Sequence, residues 1–170
     1  FVWLRQIRRV VSAPLNYQPA FVRTPHTAQE DAEERGSVGA RENDYNTPIS
    51  AFDIHDFDKD TDPINDSSIA ILFEYQDYKG LFLADANPET IRQSLLKLPE
   101  VQQTGKIKLT QVKLGHHGSK HNTHIPLLQT LDTQNYIFLA DGKNTYNLPT
   151  KHTMARILRN PKRNPTQTLN

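Results

Sequence analysis

The most reactive stretch of the sequence is a pair of histidines followed by glycine and serine, at positions 116–119. Imidazole is a common metal ligand and also exchanges protons near neutral pH. A glycine directly after the pair lets the backbone turn close to a ligand. Because the run follows an apolar stretch, we interpret His116 and His117 as a functional pair. A pair of surface histidines in a turn is the alternative that the residues alone leave open.

A second candidate is Asp85, which directly follows four apolar residues at 81–84. A carboxylate beside a buried strand needs a partner to offset the cost of burial. A metal ion could be that partner. The N-terminus of a helix predicted from Pro88 could be one as well, because aspartate is a preferred N-cap. Spacing alone does not decide between a metal ligand and a helix cap.

The remaining histidines and acidic residues give weaker signals. His121, His124 and His152 could widen a metal site, but exposed histidines in polar loops need no such role. The acidic stretch 53–60, which contains His55, lacks the glycine and the last glutamate of an EF-hand loop. We therefore interpret this stretch as a solvated loop.

Composition limits the chemistry further. The 170 residues contain no cysteine, so any metal must be held by His, Asp or Glu, which suits zinc, manganese or iron. A net charge of +1 gives no overall electrostatic reason to bind nucleic acid. The sequence has no apolar run long enough to span a bilayer, so we expect a cytoplasmic protein without a membrane partner. The start at Phe1 suggests a cut or processed end.

The elements that must position these residues fall in the second half of the chain. The pattern predicts a hairpin of strands 69–75 and 81–84 around a turn at 77–80, and then a helix from Pro88 with Asn87 as its cap. Further strands are predicted at 108–114 and 136–140, and helices at 125–131 and 150–158, the last with Met154, Ile157 and Leu158 inward. This alternation is typical of an α/β (α+β) fold. Polar residues, including Asp85, His116 and Asp141, follow the strands, where sites in open α/β sheets form.

The chain divides into three parts by composition. Residues 1–64 contain five prolines after position 11 and a polar block, so we expect a partial N-terminal segment with a long flexible insertion. Within it, residues 29–47 are predicted to lack regular structure. Residues 65–158 carry the strands and helices, and 159–170 form a polar basic tail.

The order of motifs over Asn65–Leu158 resembles one branch of the metallo-β-lactamase superfamily. That branch includes the hydrolase domain of DNA-uptake competence channels and hydrolases of bacterial defence operons. The matching pieces are Asn65-Asp66-Ser67-Ser68, Leu81–Ala84 with Asp85, His116–Ser119 with Lys120–Thr123, and Asn147-Leu148-Pro149. The resemblance implies the C-terminal half of an αββα sandwich.

The resemblance also implies roles for single residues. Asp85 would bridge two divalent metal ions, zinc or alternatively manganese, and His117 would bind one of them. His116 would contact phosphate or donate a proton, and a metal-bound hydroxide would attack a phosphodiester or phosphoester bond. The substrate would be a nucleic acid or another phosphoester. Asn65 stands where many members have a further ligand. Shared ligation predicts that the side-chain tips of Asp85 and His117 lie within roughly 3–5 Å.

Three departures from the family pattern keep alternatives open. The hallmark His-x-His-x-Asp-His cluster is absent from residues 1–64, Leu148 replaces the expected last histidine, and Ala84 replaces a glycine. One hypothesis is a hydrolase whose missing N-terminal half, or a partner protein, supplies the other ligands. This chain alone would then bind metal weakly and hydrolyse nothing. The second is a degenerate, non-catalytic domain with an interaction or regulatory role. A third is an unrelated α/β binding module in which Asp85 only caps a helix.

Overall fold

A computed structural model describes residues 9–11, 44–140, 147–166 and 168–170. The described part combines five α-helices with two sheets that contain both parallel and antiparallel strands. This is the α/β (α+β) class predicted from the sequence. Residues 29–43, most of the segment predicted to lack regular structure, lie outside the described residues, as does Asp141.

The strands are β1 (Arg9–Val11), β2 (Ala70–Tyr75), β3 (Tyr78–Phe82), β4 (Ile107–Lys108), β5 (Gln111–Lys113), β6 (Leu131–Asp132) and β7 (Tyr136–Ile137). The larger sheet has five strands in the order β1-β2-β3-β5-β7. Strands β1 and β2 are antiparallel, as are β2 and β3, whereas β3, β5 and β7 run parallel. A smaller sheet pairs β4 and β6 in parallel.

The five helices are α1 (Pro63–Asp66), α2 (Pro88–Leu95), α3 (Pro99–Thr104), α4 (Ile125–Gln129) and α5 (Lys151–Leu158). Short 3₁₀ turns occur at Ile49–Ala51 and Gly115–Gly118. Helix α2 begins as predicted: the Asn87 side chain accepts hydrogen bonds from the backbone N–H groups of Glu89 and Thr90, at 2.9 and 3.2 Å. The cap is therefore Asn87, and Asp85 does not serve as the side-chain cap of this helix.

The hairpin and the parallel crossover follow the prediction, with shifted ends. The turn lies at Gln76–Asp77 instead of 77–80, because β3 already begins at Tyr78. The predicted strand 108–114 is divided into β4 and β5, which belong to different sheets. The break lies at Leu109–Thr110, where the Thr110 N–H bonds to Lys79 O of β3.

The core lies between the large sheet and the helices. It contains apolar side chains from both, including Leu72, Leu81, Leu83, Val112, Leu114, Ile91, Leu95, Leu127, Leu128 and Ile157. In α5 the inward face differs from the prediction, since Leu158 is 45% exposed. Arg156 is buried on this helix instead. No helix in the described part of the chain has the length and apolar character needed to cross a membrane.

Candidate functional site

The ends of two neighbouring parallel strands bring the predicted site residues to one edge of the sheet. Strand β3 leads through Leu83 to Asp85, and β5 leads through Leu114 to the histidine pair. The two segments remain in contact beyond the strands, because the His116 N–H donates to Ala84 O at 2.9 Å. The prediction that Asp85 and the histidines follow parallel strands of one sheet is confirmed.

The backbone around this edge is held in an unusual conformation. Ala84, His116 and His117 have φ angles of 48°, 44° and 54°, and Gly118 follows with 86°. The left-handed region costs a non-glycine residue roughly 1–2 kcal/mol. Residues kept in it tend to occur at functional sites, where the surrounding structure over-determines them. A Cβ on Gly118 would also lie 2.6 Å from the Phe138 ring, so only glycine fits there.

Because of the left-handed turn, the side chains of the two histidines have different surroundings. His116 is half-buried, and its Nδ1 lies 3.4 Å from Asp60 Oδ2. His117 is exposed, and its Nδ1–H donates to Leu139 O beyond the end of β7. That bond leaves Nε2 as the ring nitrogen of His117 with a free lone pair. Metal-binding histidines are commonly oriented by such a second hydrogen bond.

Asp60 was not predicted as a site residue, yet it is the most connected carboxylate at this edge. Its Oδ2 accepts hydrogen bonds from Asn65 Nδ2 at 2.9 Å and from Asn122 Nδ2 at 3.5 Å. Its Oδ1 accepts from the Asp62 N–H at 3.0 Å. Burial alone would raise the pKa of Asp60, but these hydrogen bonds and the contact with His116 outweigh burial and lower it. Asp60 is therefore an ionised carboxylate at neutral pH.

Asp85 is half-buried and behaves differently. Its carboxylate makes no hydrogen bond or ion pair with the described part of the chain, whereas its backbone carbonyl accepts from Asn122 Nδ2 at 3.1 Å. Asn122 is fully buried, and its Nδ2 group donates both to the Asp85 carbonyl and to the Asp60 carboxylate. Its Oδ1 has no hydrogen-bond partner among the described residues.

A polar cavity of about 960 Å³ opens at the same place. Among its lining residues are Asp60, Asn65, His116, Ser119, His121 and Leu148, whereas Asp85 and His117 do not line it. His121 Nδ1–H donates to Asp58 O at 2.7 Å, which anchors the loop that carries Asp60. The cavity wall is therefore built mainly from the loop before α1 and the turn after β5, and the residues at the start of α5 complete it.

The other two candidate histidines are buried, and each is hydrogen-bonded to the protein. His124 Nδ1 accepts from the Leu127 N–H at 3.2 Å and caps α4, while Nε2 faces Glu89 Oε2 at 3.1 Å. His152 Nε2–H donates to Asp53 O at 2.8 Å, although this residue also lines the cavity. Burial lowers the pKa of both imidazoles, so both are neutral at pH 7.

The donor set offers a partial fit to the metal chemistry that the resemblance implies. Within the described ranges, no three His, Asp or Glu side chains gather around one point. His116 Nδ1 is buried, and its nearest charged neighbour among the described residues is Asp60 Oδ2 at 3.4 Å, so the two form a close nitrogen–oxygen pair. The described residues thus provide a pair of donors for one ion. A site for two ions would need donors beyond them.

No family model, no curated protein and no solved structure matches this chain.

Asp60 has no local signal in the sequence, and Asn122 occurs there only as part of the Lys120–Thr123 run that the resemblance matches. Asp60 belongs to an acidic stretch that is polar throughout, and its contact with His116 joins residues far apart in the sequence. Asn122 sits in the polar run after the histidines, and only its complete burial distinguishes it.

Proposed function

We propose that this chain is the C-terminal half of a metallo-β-lactamase-type hydrolase domain that cleaves phosphodiester or phosphoester bonds. The observation that carries the proposal is the strained His116-His117-Gly118 turn, which follows β5 directly beside the β3 segment that leads to Asp85. Strain of this kind is retained where a site needs it. The match of this turn with the motif order supports the family assignment.

In this proposal each residue has a chemical task. His116, which lines the cavity, contacts a phosphoryl oxygen or donates a proton to the leaving group. The Asp60 carboxylate beside Nδ1 orients the ring, as carboxylates do for catalytic imidazoles. The Asp85 carboxylate, which has no partner among the described residues, and Nε2 of His117 are the donors that the family pattern assigns to metal. A divalent ion, when bound, polarises the phosphoryl oxygen as a Lewis acid.

The number of metal-binding side chains also indicates whether the proposed enzyme needs a partner. A catalytic zinc site usually has three protein ligands and one open position. The described residues do not gather three such side chains. The proposed enzyme therefore takes further ligands from residues outside the described ranges or from a partner protein. In isolation the 170-residue chain should bind metal weakly and should not turn over substrate.

One observation favours a second function. Leu148 stands where the family pattern has a histidine, and in the structure it is only 7% exposed and lines the cavity. An apolar side chain at that position cannot bind a metal, which suits a degenerate domain that serves an interaction or regulatory role. In that case the cavity would bind a ligand without cleaving it.

The experiment compares this chain with a longer protein that contains it. Both are assayed with bis(p-nitrophenyl) phosphate and with a nucleic-acid substrate, each with added zinc or manganese. We expect turnover only by the longer protein, and a loss of about 10²-fold or more in His116→Gln, the lower range for removal of a general acid. His55→Gln is the matched control, because His55 is exposed and remote from the histidine turn in sequence. A longer protein that binds metal but cleaves neither substrate would support the degenerate domain instead.

A further inference from the structure

A second cavity of about 340 Å³ shares no lining residue with the cavity that contains His116. Its wall includes Lys106, which precedes β4, and Tyr136, at which β7 begins, whereas the histidine turn follows the end of β5. Residues 160–164, in the turn after α5, also line it. They belong to the basic tail, to which the proposed function assigns no role. The volume is within the usual range for small-molecule sites, about 300–1,000 Å³.

The wall of this second cavity carries an excess of positive charge. Lys106, Lys162 and Arg163 line it. The wall also contains the carboxylate of Asp132, which is exposed and makes no ion pair with the described part of the chain. A concave surface lined mainly by charges of one sign attracts ligands of the opposite sign. Since the whole chain has a net charge of only +1, this is a local concentration of cations that favours an anionic ligand.

The turn that carries two of these cations is fixed by Asn160, which is buried. The Asn160 side chain donates from Nδ2 to Leu128 O at 3.2 Å, and its Oδ1 accepts from the Lys162 N–H at 3.1 Å. The Arg163 N–H donates to Asn160 O at 3.0 Å. The turn is therefore attached to helix α4 and holds both cations on a hydrogen-bonded backbone.

The Lys106 side chain is also held in place, because its Nζ donates to Lys162 O at 2.7 Å. An ammonium group has three donors, so Lys106 keeps further N–H groups for a ligand. Arg163 is half-buried, and its Nε donates to Leu158 O at 3.3 Å. Side chains that are positioned in advance lose less conformational entropy when a ligand binds.

Tyr136 adds a hydroxyl group to the wall. Its ring packs against the hydrophobic core, and the hydroxyl makes no hydrogen bond with the described residues. Tyrosine hydroxyls that are largely buried usually have a partner. Burial raises the pKa of Tyr136 to about 12, although the charge of Arg163 acts in the opposite direction. The hydroxyl is therefore protonated at neutral pH and is able to donate to an anion.

We propose that this second cavity binds a phosphate group through Lys106, Arg163 and the Tyr136 hydroxyl. Ammonium and guanidinium groups are the common protein partners of phosphate. The three donors come from separate segments of the chain, which suits an anion with three acceptor oxygens better than a carboxylate with two. The phosphate can belong to a small phosphate ester or to a nucleic-acid backbone. The proposal does not depend on hydrolysis at the histidine turn.

The test titrates the 170-residue chain separately with inorganic phosphate and with a short oligothymidylate. Binding is followed by the backbone amide resonances in ¹H–¹⁵N NMR spectra, with sodium chloride at matched ionic strength as the control for screening. We expect saturable shifts at Lys106, Tyr136 and residues 160–164 with at least one of the two probes. These shifts locate the site on the unaltered chain, so the test does not require that any variant folds.

Two variants and two matched controls test the donors. Lys106→Gln and Tyr136→Phe should each weaken binding by about tenfold or more, the effect of removing one hydrogen bond to a charged group. Lys97→Gln removes an exposed lysine and Tyr75→Phe removes the hydroxyl of an exposed tyrosine, and neither residue lines the cavity. Both controls should bind like the unaltered chain. Circular dichroism checks that all four variants fold.

The two probes distinguish the sources of the phosphate group. Saturation by inorganic phosphate assigns the site to a single phosphate group, as in a small ester. Saturation by oligothymidylate alone assigns it to a nucleic-acid backbone. In that case the slope of log K against log salt concentration should become shallower by about 0.7 in Lys106→Gln, which loses one phosphate contact.

Three results would overturn the inference: no saturable shift at residues 160–164 with either probe, shifts confined to the surroundings of His116, or equal weakening in the variants and their controls. The hydrolysis assay gives a separate answer, because neither Lys106 nor Tyr136 lines the cavity that contains His116. Phosphate binding here without hydrolysis by the longer protein keeps this site and removes the proposed function. Hydrolysis without phosphate binding at residues 160–164 does the reverse.

Discussion

Arg156 of α5 should be among the most costly residues to remove. It is 1% exposed, and its guanidinium donates to four backbone carbonyls from two loops. Nε bonds to Ile54 O at 3.3 Å, Nη1 bonds to Lys120 O and Thr123 O at 2.5 and 2.6 Å, and Nη2 bonds to Asp56 O. These loops carry Asp60 and the residues that follow the histidine turn. Arg156 therefore joins both walls of the cavity to one helix.

The magnitude follows from the carbonyls that lose their donor. In Arg156→Met the side chain keeps most of its volume, but four acceptors lose a charged partner. The bonds to Ile54 O and Thr123 O are buried, and each lost partner there costs about 1–3 kcal/mol. Burial lowers the pKa of Arg156 to about 10, so removing a poorly solvated cation returns part of this cost. We expect a net loss of about 3–5 kcal/mol in the free energy of unfolding, as for breaking a buried charged contact.

Urea denaturation followed by circular dichroism measures this loss. Arg159→Met is the matched control, because Arg159 directly follows the same helix and also donates to backbone carbonyls, including Phe52 O at 2.6 Å. Arg159 is exposed, so its carbonyl partners can turn to water, and the control should lose less than about 1 kcal/mol. Equal losses in the two variants would refute the argument that burial of the four carbonyls sets the cost.

Two further predictions concern pH and backbone strain. Burial lowers the folded-state pKa of His124 and His152 below the ordinary value of 6.5. Below pH 6.5 the unfolded chain therefore binds more protons than the folded chain. The free energy of unfolding should be constant above that pH. Between pH 6.5 and the folded-state pKa it should fall by up to about 1.4 kcal/mol per pH unit for each histidine. His124→Asn keeps an N-cap and should reduce this slope in urea titrations from pH 8 to 5; an unchanged slope would contradict the assignment. Ala84→Gly should raise the free energy of unfolding by about 0.5–1 kcal/mol, because relief of the left-handed strain at φ 48° exceeds the added chain entropy. Ala86→Gly, at a buried position without positive φ, should be destabilising, and a lower thermal midpoint for Ala84→Gly would show that the strain argument fails.

The parts of the fold that depend on local pattern could be predicted from the sequence. The hairpin of β2 and β3, the cap of α2 at Asn87 and the placement of Asp85 beside the histidine turn all followed from apolar runs and capping residues. The ends of strands were less predictable. The polar gap at Thr110 divides one apolar run between two sheets, and only the tertiary pairing of β4 with β6 shows it.

The buried polar contacts could not be predicted, because nothing in their local sequence requires them. Arg156 lies on the helix where Leu158 was expected to point inward, and its burial depends on carbonyls supplied by loops distant in the chain. Asp60 has the same character in part, since Asn65 lies close in the sequence but Asn122 and His116 come from a distant part of the chain. A pattern of hydrophobic residues cannot predict that a charged side chain is buried when its hydrogen-bond partners are backbone oxygens or amides far away in the sequence.

These contacts also explain how a strained turn can persist at the edge of the sheet. The left-handed backbone at His116 and His117 costs a few kcal/mol on its own. It is held by the bond from the His116 N–H to Ala84 O and by the bond from the Thr150 N–H to Gly118 O at 3.2 Å. The second bond connects the turn to the start of α5, the helix that carries Arg156. The same helix thus fixes the turn that presents His116 and the loop that presents Asp60. The spacing of His116 and Asp60 therefore depends on one helix, so loosening α5 should disturb the cavity before it disturbs the sheet.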